Sequence, residues 1–335
     1  MSRKPNLVFM GTPDFAVPTL LALAESNQFN IAAVVTQSDN KSGRGMKLSP
    51  TPVKKAAQSL NLKVFQPKSI KDIELSSKGA LTSKKNTELV EHINSFEKID
   101  AYIVVAYGKI IPRSLMDHAR RGVLNIHASL LPRWRGAAPL QYSIFSGDTQ
   151  TGVSIMQIEE GLDTGPVFCM ESIEIKDSDT LGSIHNKLSE LGKDTLLKVL
   201  PSIISGELTA IKQDDSKANH APKWESKDRT LDWTEPAEVC WRRIRACNPF
   251  PGARTYLNSE QVKILDAEPG HSSTGKPSGT IISQDSSGIL VAAGNKSTLV
   301  LKSMQFPGKK LLPVSEILKG NKISLGDKFK NLDNE

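Results

Sequence analysis

The chain has 335 residues, 38 % hydrophobic and 24 % charged, which suggests roughly two domains of ordinary globular composition. That excludes a disordered chain, a collagen-like repeat and a disulfide-stapled miniprotein. Lys and Arg number 43 against 36 Asp and Glu, a formal net charge of +7, and the sign suits a polyanionic partner such as nucleic acid.

The basic start, Met1 to Lys4, leads into a short strand-like run broken by Gly11-Thr12-Pro13-Asp14, which is not a signal-peptide pattern. No run approaches the roughly 18 apolar residues of a membrane-spanning helix. The three cysteines, Cys169, Cys240 and Cys247, are too sparse for a disulfide framework. A soluble, cytoplasmic, monomeric protein without membrane contact is expected.

Leu7 to Met10 reads as a fully buried parallel strand, followed by turn chemistry at Gly11 to Asp14 and a helix over 15–24 with Pro18 in its first turn. Further strands are expected at 31–35, 64–65, 102–106, 123–127 and 152–158. Helices are expected at about 87–96, 136–145 and 180–205. Alternation of this kind implies a doubly wound, mostly parallel α/β sheet over residues 1–205. Residues 206–236 are polar and read as a linker. A helix at 237–247 and short strands near 254–257, 262–267, 279–283, 288–293 and 298–302 then predict a small β-barrel over 237–320, with a tail at 321–335.

Several segments carry chemistry. Gly11 to Ala16 lacks the Gly-x-Gly-x-x-Gly spacing of a dinucleotide site and reads as a tight strand-to-helix turn, which disfavours a nicotinamide dehydrogenase. The connection 37–50 is long for one that follows a strand. It carries Lys41, Arg44 and Lys47 against Asp39, with Arg44 between two glycines. It is either a solvated loop or a basic finger for phosphates. On the strand 123–127, Asn125 and His127 share a face because the period is two. They lie toward the carboxyl end, where open α/β sheets place ligands. An amide beside an imidazole suits a developing oxyanion and a proton in transit; a core histidine held by a backbone partner is the plain alternative. Asp163 supplies a carboxylate in a Gly-flanked turn, where local capping is the plain alternative. No Gly-x-Ser-x-Gly elbow and no His/Cys cluster of metal-ligand spacing occurs. Direct transfer between two bound substrates, without a covalent enzyme intermediate and without a metal, is therefore expected.

These residues resemble the methionyl-tRNA formyltransferases. The likeness runs through Gly11 to Phe15, Gly43 to Lys54, Val105 to Gly108, Asn125 to His127, Ser129 to Pro139, Gly161 to Gly165 and Asn248 to Ala253, where Phe250 stands in place of a frequent Trp. The resemblance implies transfer of a formyl group from 10-formyltetrahydrofolate to the α-amino group of methionyl initiator tRNA. It implies Asn125, His127 and Asp163 as the catalytic set, and Ser129, Leu130, Leu131 and Pro132 as the folate-contacting segment. It also implies Lys41, Arg44 and Lys47 as tRNA-contacting residues, and an oligonucleotide-binding-type barrel adding tRNA contacts. Lys223, Arg242, Arg243, Arg245, Lys309 and Lys310 are candidates there. The competing readings are a folate-dependent formyltransferase acting on a small amine, a formyltetrahydrofolate hydrolase, and a non-catalytic RNA-binding protein.

Overall fold

Strand β1 (Asn6–Gly11) is buried at all six positions, as a strand covered on both faces requires. The computed structural model describes residues 3–42, 47–320 and 323–331. In it β1 pairs in parallel with β2 (Asn30–Val35), which in turn pairs in parallel with β3 (Val64–Phe65). On its other side β1 pairs in parallel with β4 (Ala101–Val105), and β4 with β5 (Val123–His127). Strands β6 (Gln150–Gln157) and β7 (Val167–Glu174) complete a seven-stranded sheet of order β7-β6-β5-β4-β1-β2-β3, with β6 antiparallel to β5. The carboxyl ends of the parallel strands share one edge, so the loops after β1, β2, β4 and β5 gather there.

Helices α1 (Val17–Glu25), α2 (Pro52–Ser59), α3 (Thr87–Asn94) and α4 (Arg113–His118) alternate with these strands. Pro18 sits in the first turn of α1, where its missing N–H costs nothing. Thr51 caps α2, its hydroxyl accepting from the Lys54 N–H at 3.1 Å. The apolar face of α3 packs Leu89, Val90 and Ile93 with Val8, Tyr102 and Val104 of the sheet. After α5 (Pro139–Phe145), the 25-residue α6 (Leu181–Ser205) passes so close to β5 that a Cβ on Gly192 would lie 2.8 Å from Ile126. Two helices, α2 and α4, and the strand β7 have no counterpart in the sequence reading. The helices are short, and the apolar run that opens β7, Val167 to Met170, is only four residues long before it gives way to Glu171, Ser172 and Glu174.

The chain forms two compact units, Met1–Gly136 with Thr151–Ile173 and His185–His220, and Ala137–Gln150 with Glu174–Ile184 and Ala221–Glu335. The polar segment 206–236 is divided between them. It carries short elements at Asp215–Lys217, His220–Ala221 and Lys227–Arg229.

In the second unit, α7 (Ala237–Cys247) packs on an antiparallel sheet. Its strands are β8 (Ala253–Leu257), β9 (Glu260–Pro269), β10 (Ile281–Asp285), β11 (Gly288–Ala292), β12 (Thr298–Gln305), β13 (Leu312–Pro313) and β14 (Phe329–Lys330). The order is β10-β11-β12-β9-β8-β14, with β13 on β12. Asn258 and Ser259, at φ 48° and 65°, make the tight turn between β8 and β9. The sheet curls until its edges meet: Phe329 on β14 donates to Gly279 and Ile281 on β10 donates to Asp327, each at 2.9 Å. The expected small barrel is therefore present as a curled antiparallel sheet, closed in this manner. A short helix α8 (Val314–Leu318) follows β13. No helix among the described residues is long and apolar enough to cross a membrane.

Trp233, 1 % exposed, stacks on Phe329 and donates from Nε1 to Thr255 Oγ1 at 2.8 Å. Trp233→Ala removes the ring and one of the two hydrogen bonds of the buried Thr255 hydroxyl, which still donates to the Lys330 carbonyl. The expected loss is about 3–5 kcal/mol, read as a lowered urea midpoint for this unit. Burial pushes the Cys240 thiol up to about 12 and the Cys247 thiol up to about 11, so both stay protonated and inert at neutral pH.

Candidate active site

The polar residues of β5 stand out against its apolar neighbours. Asn125 and His127 are two apart on one strand and so lie on one face. Ser154 of β6 is the cross-strand partner of His127. The Asn125 amide has no side-chain hydrogen-bond partner among the described residues.

His127 is buried, and both ring nitrogens face acceptors. Nε2 lies 2.9 Å from the Trp134 carbonyl oxygen. A carbonyl only accepts, so this contact fixes a proton on Nε2. Nδ1 lies 3.6 Å from Asp163 Oδ2, and the same carboxylate oxygen accepts from the Gly136 N–H at 2.8 Å. In the neutral ring the lone pair is therefore on Nδ1, the nitrogen beside the carboxylate. A proton taken up at Nδ1 makes an imidazolium directly opposite Asp163, which offsets its charge.

Trp134 and Asp163, which supply these two oxygens, both have left-handed backbone, at φ 61° and 54°. Each costs about 1–2 kcal/mol for a non-glycine residue and persists only where the surroundings over-determine it. The Trp134 N–H donates to Asn219 Oδ1 at 2.6 Å. The Asp163 and Gly165 carbonyls accept from Gln213 Nε2 at 2.8 and 2.7 Å. Gln213 Oε1 in turn accepts from Arg135 Nε and Nη2 at 3.0 and 2.8 Å. Neither Gln213 nor Asn219 figures in the sequence reading. Their partners lie 50 and 85 positions away, and a polar segment offers no periodicity to signal them.

Residues 129–132 form the turn that leaves β5. Ser129 Oγ donates to the Arg133 carbonyl at 2.6 Å, and Arg133 N–H donates to the Leu130 carbonyl at 3.1 Å. Ser154 Oγ holds the turn from the sheet. It donates to the Ser129 carbonyl at 2.7 Å and accepts from the Leu131 N–H at 3.1 Å. Leu131 packs with Met156 and Val167, and the Leu131–Pro132 peptide is cis. Ser129 to Pro132 thus adjoin His127 in a fixed backbone turn.

The basic connection after β2 contains a hairpin, Asn40–Ser42 paired with Lys47–Ser49. The backbones of Lys41 and Lys47 fall on its two arms; their side chains and the whole of Arg44 lie outside the described residues. Asp39 sits at the hairpin's root, where Lys54 Nζ and Gln66 Nε2 donate to it at 2.7 and 2.6 Å. The Lys54 bond holds its carboxyl below the usual range.

In the second unit, two cations named as RNA candidates are turned inward. Arg245 is 8 % exposed and donates to the Asp179 and Lys176 carbonyls. Arg243 donates to Glu235 at 2.8 Å and to the Asp228 carbonyl. Among the described residues, no group of three or more His, Cys, Asp and Glu could hold a metal ion.

Residues 5–200 match the family Formyl transferase, and residues 223–322 match Formyl transferase, C-terminal domain. Solved structures share the fold at low identity. The sugar 3N-formyl transferase WlaRD, crystallised with dTDP and 5-N-formyl-THF, is 15 % identical with a TM-score of 0.66, over 92 % of this chain and 100 % of its own. The N-formyltransferase from Helicobacter canadensis, in complex with folinic acid and dTDP-3-aminofucose, is 15 % identical with a TM-score of 0.64, over 89 % and 98 %. HypX from Aquifex aeolicus, in complex with tetrahydrofolic acid, is 18 % identical with a TM-score of 0.59, over 96 % of this chain and 48 % of HypX.

Proposed function

Because the chain belongs to the formyl transferase family, we propose that it formylates the α-amino group of methionyl initiator tRNA, with 10-formyltetrahydrofolate as the donor. Asn125, His127 and Asp163 carry the reaction. Attack of a neutral amine on the formyl carbon puts negative charge on the formyl oxygen, and the unpartnered Asn125 amide is the donor for it. His127 takes the amine proton at Nδ1, the nitrogen left bare by the Trp134 contact, and Asp163 stabilises the charge that results; collapse of the adduct breaks the bond from the formyl carbon to N10 of the donor, and that proton passes to N10 as tetrahydrofolate leaves. Ser129, Leu130, Leu131 and Pro132 hold the donor. They fit this role because their backbone is fixed by Ser154 beside His127 while Leu131 anchors the turn in the core.

The observation that carries the choice of acceptor is the insertion at 37–50. It leaves the carboxyl end of β2, at the sheet edge where β5 ends. It brings Lys41, Arg44 and Lys47, while the carboxylate of Asp39 is engaged at its root by Lys54. A basic finger of this kind suits a phosphate backbone approaching the site.

A second reading, formylation of a nucleotide-linked amino sugar, is favoured by the two fold neighbours solved with dTDP and with dTDP-3-aminofucose. They span nearly this whole chain, so a second domain does not by itself mark a tRNA acceptor, and the discriminating feature is the basic insertion.

Single-turnover transfer from 10-formyltetrahydrofolate decides, with methionyl initiator tRNA, free methionine, a dTDP-linked 3-amino sugar and water as parallel acceptors. The expected result is formylation that needs the charged tRNA and weakens with salt. Arg44→Ala is expected to lower kcat/KM for tRNA roughly tenfold, the loss of one charge-assisted hydrogen bond of about 1.5 kcal/mol, while leaving the KM for the donor unchanged. Product on the amino sugar alone moves the assignment to the second reading. Donor consumed with every acceptor omitted makes the protein a hydrolase.

A further inference from the structure

We propose that the polar strap from Gln213 to Asn219 is a positioning device that fixes the His127 tautomer and the approach of Asp163; its bearing on turnover rests on the reading of that pair as catalytic. The two groups facing the His127 ring nitrogens belong to Trp134 and Asp163, both in left-handed backbone. Neither conformation is one these residues adopt by preference, and each is pinned by one end of the strap.

At one end, Asn219 binds the Trp134 turn twice. Its Oδ1 accepts from the Trp134 N–H at 2.6 Å and its carbonyl accepts from the Arg135 N–H at 3.0 Å. At the other, the Gln213 amide is fully used. Nε2 donates to the Asp163 and Gly165 carbonyls, and Oε1 accepts two bonds from Arg135. Its orientation is unambiguous, because a guanidinium only donates and a carbonyl only accepts. Arg135 completes the circuit by pairing with Asp215 Oδ1 at 2.7 Å. Gln213 and Arg135 are 8 % and 4 % exposed, so water does not substitute for these bonds. The strap thus joins the Trp134 turn to the Asp163 turn through the buried Arg135 and Gln213 side chains, and His127 lies between the two turns. None of its side chains is hydrogen-bonded to His127 among the described residues, so Gln213 and Asn219 are positioning residues.

The test uses the full-length protein and the variants Gln213→Glu, Asn219→Ala and Asn219→Asp. Glu at 213 keeps the acceptor for Arg135 but sets carboxylate oxygen against two carbonyls. Asp at 219 keeps the acceptor for Trp134, which Ala loses. Three quantities are read: kcat, the KM for 10-formyltetrahydrofolate, and the ring-nitrogen NMR signals of His127 in 15N-histidine-labelled protein without substrates. Asn219→Ala and Gln213→Glu are expected to lower kcat by about tenfold or more and to spread His127 over both tautomers, with the donor KM within about twofold. Asn219→Asp is expected to restore both kcat and the single tautomer. Wild-type kcat and an unchanged His127 signal in Asn219→Ala and Gln213→Glu overturn the proposal, as does equal loss in Asn219→Ala and Asn219→Asp. If the variants disturb the His127 signals while His127→Ala keeps full turnover, the strap's hold on His127 stands and the catalytic reading of the pair fails.

Discussion

Replacing Asn125 or His127 by alanine is expected to lower the single-turnover rate by about 10²–10³-fold, the usual consequence of removing one preorganised donor or proton acceptor from a transition state. The two losses differ in kind. Asn125 makes no side-chain hydrogen bond among the described residues, so its removal orphans nothing in the resting protein, and the thermal midpoint should hold. His127 is 6 % exposed and donates to the Trp134 carbonyl. Its removal leaves a small cavity and a buried carbonyl with one partner fewer, so a modest loss of stability accompanies the loss of rate. Neither residue lies on the insertion at 37–50, so tRNA binding measured by filter retention should change little. A rate within threefold of wild type for Asn125→Ala would remove it as the oxyanion donor. The double variant sharpens the point. If both groups act on one transition state, removing both costs less than the product of the single losses.

The parts of this protein legible in the sequence are those with a local signal. Strand β5 is bounded as expected because its apolar run is interrupted only by Asn125 and His127, and α7 because its buried positions recur at helical spacing. The catalytic candidates were visible as residue types on one strand face, and Asp163 as a carboxylate in a glycine-flanked turn. The structure adds the 3.6 Å approach of Asp163 to His127, which no spacing encodes, since 36 residues separate them. The polar stretch from 206 to 236 looks like a connector because it buries few aliphatic side chains. Its contribution is made by amide groups instead, through Gln213 and Asn219, whose value depends on partners brought together by the rest of the sheet. Arg245 illustrates the converse: a basic residue readable as an RNA contact is instead buried on two carbonyls at Asp179 and Lys176.

Gly165→Ala is expected to reduce kcat by about 100-fold without unfolding the sheet, although Gly165 carries no chemistry of its own. A Cβ at this position would lie 2.0 Å from the Gln157 carbonyl oxygen and 3.0 Å from its carbon. Both are backbone atoms at the end of β6, fixed by the bond from the Gln157 N–H to the Pro166 carbonyl at 2.9 Å. No side chain can swing aside to admit the methyl, so the neck of the turn between β6 and β7 must open. Asp163 sits two residues back from Gly165, and the Gly165 carbonyl is one of the two acceptors holding Gln213. Opening the neck therefore shifts the carboxylate from His127 and slackens its support in one step. A displacement of about 1 Å in such a constellation is enough for a 100-fold loss. The exposed Glu160 in the same turn is the control: its only ion pair among the described residues is a loose one to Arg113 at 3.9 Å, and Glu160→Ala should leave kcat unchanged. If Gly165→Ala keeps kcat within threefold of wild type while folded, the position of Asp163 does not limit the reaction. The carboxylate would then serve only to tether the segment after Trp134 through the Gly136 N–H.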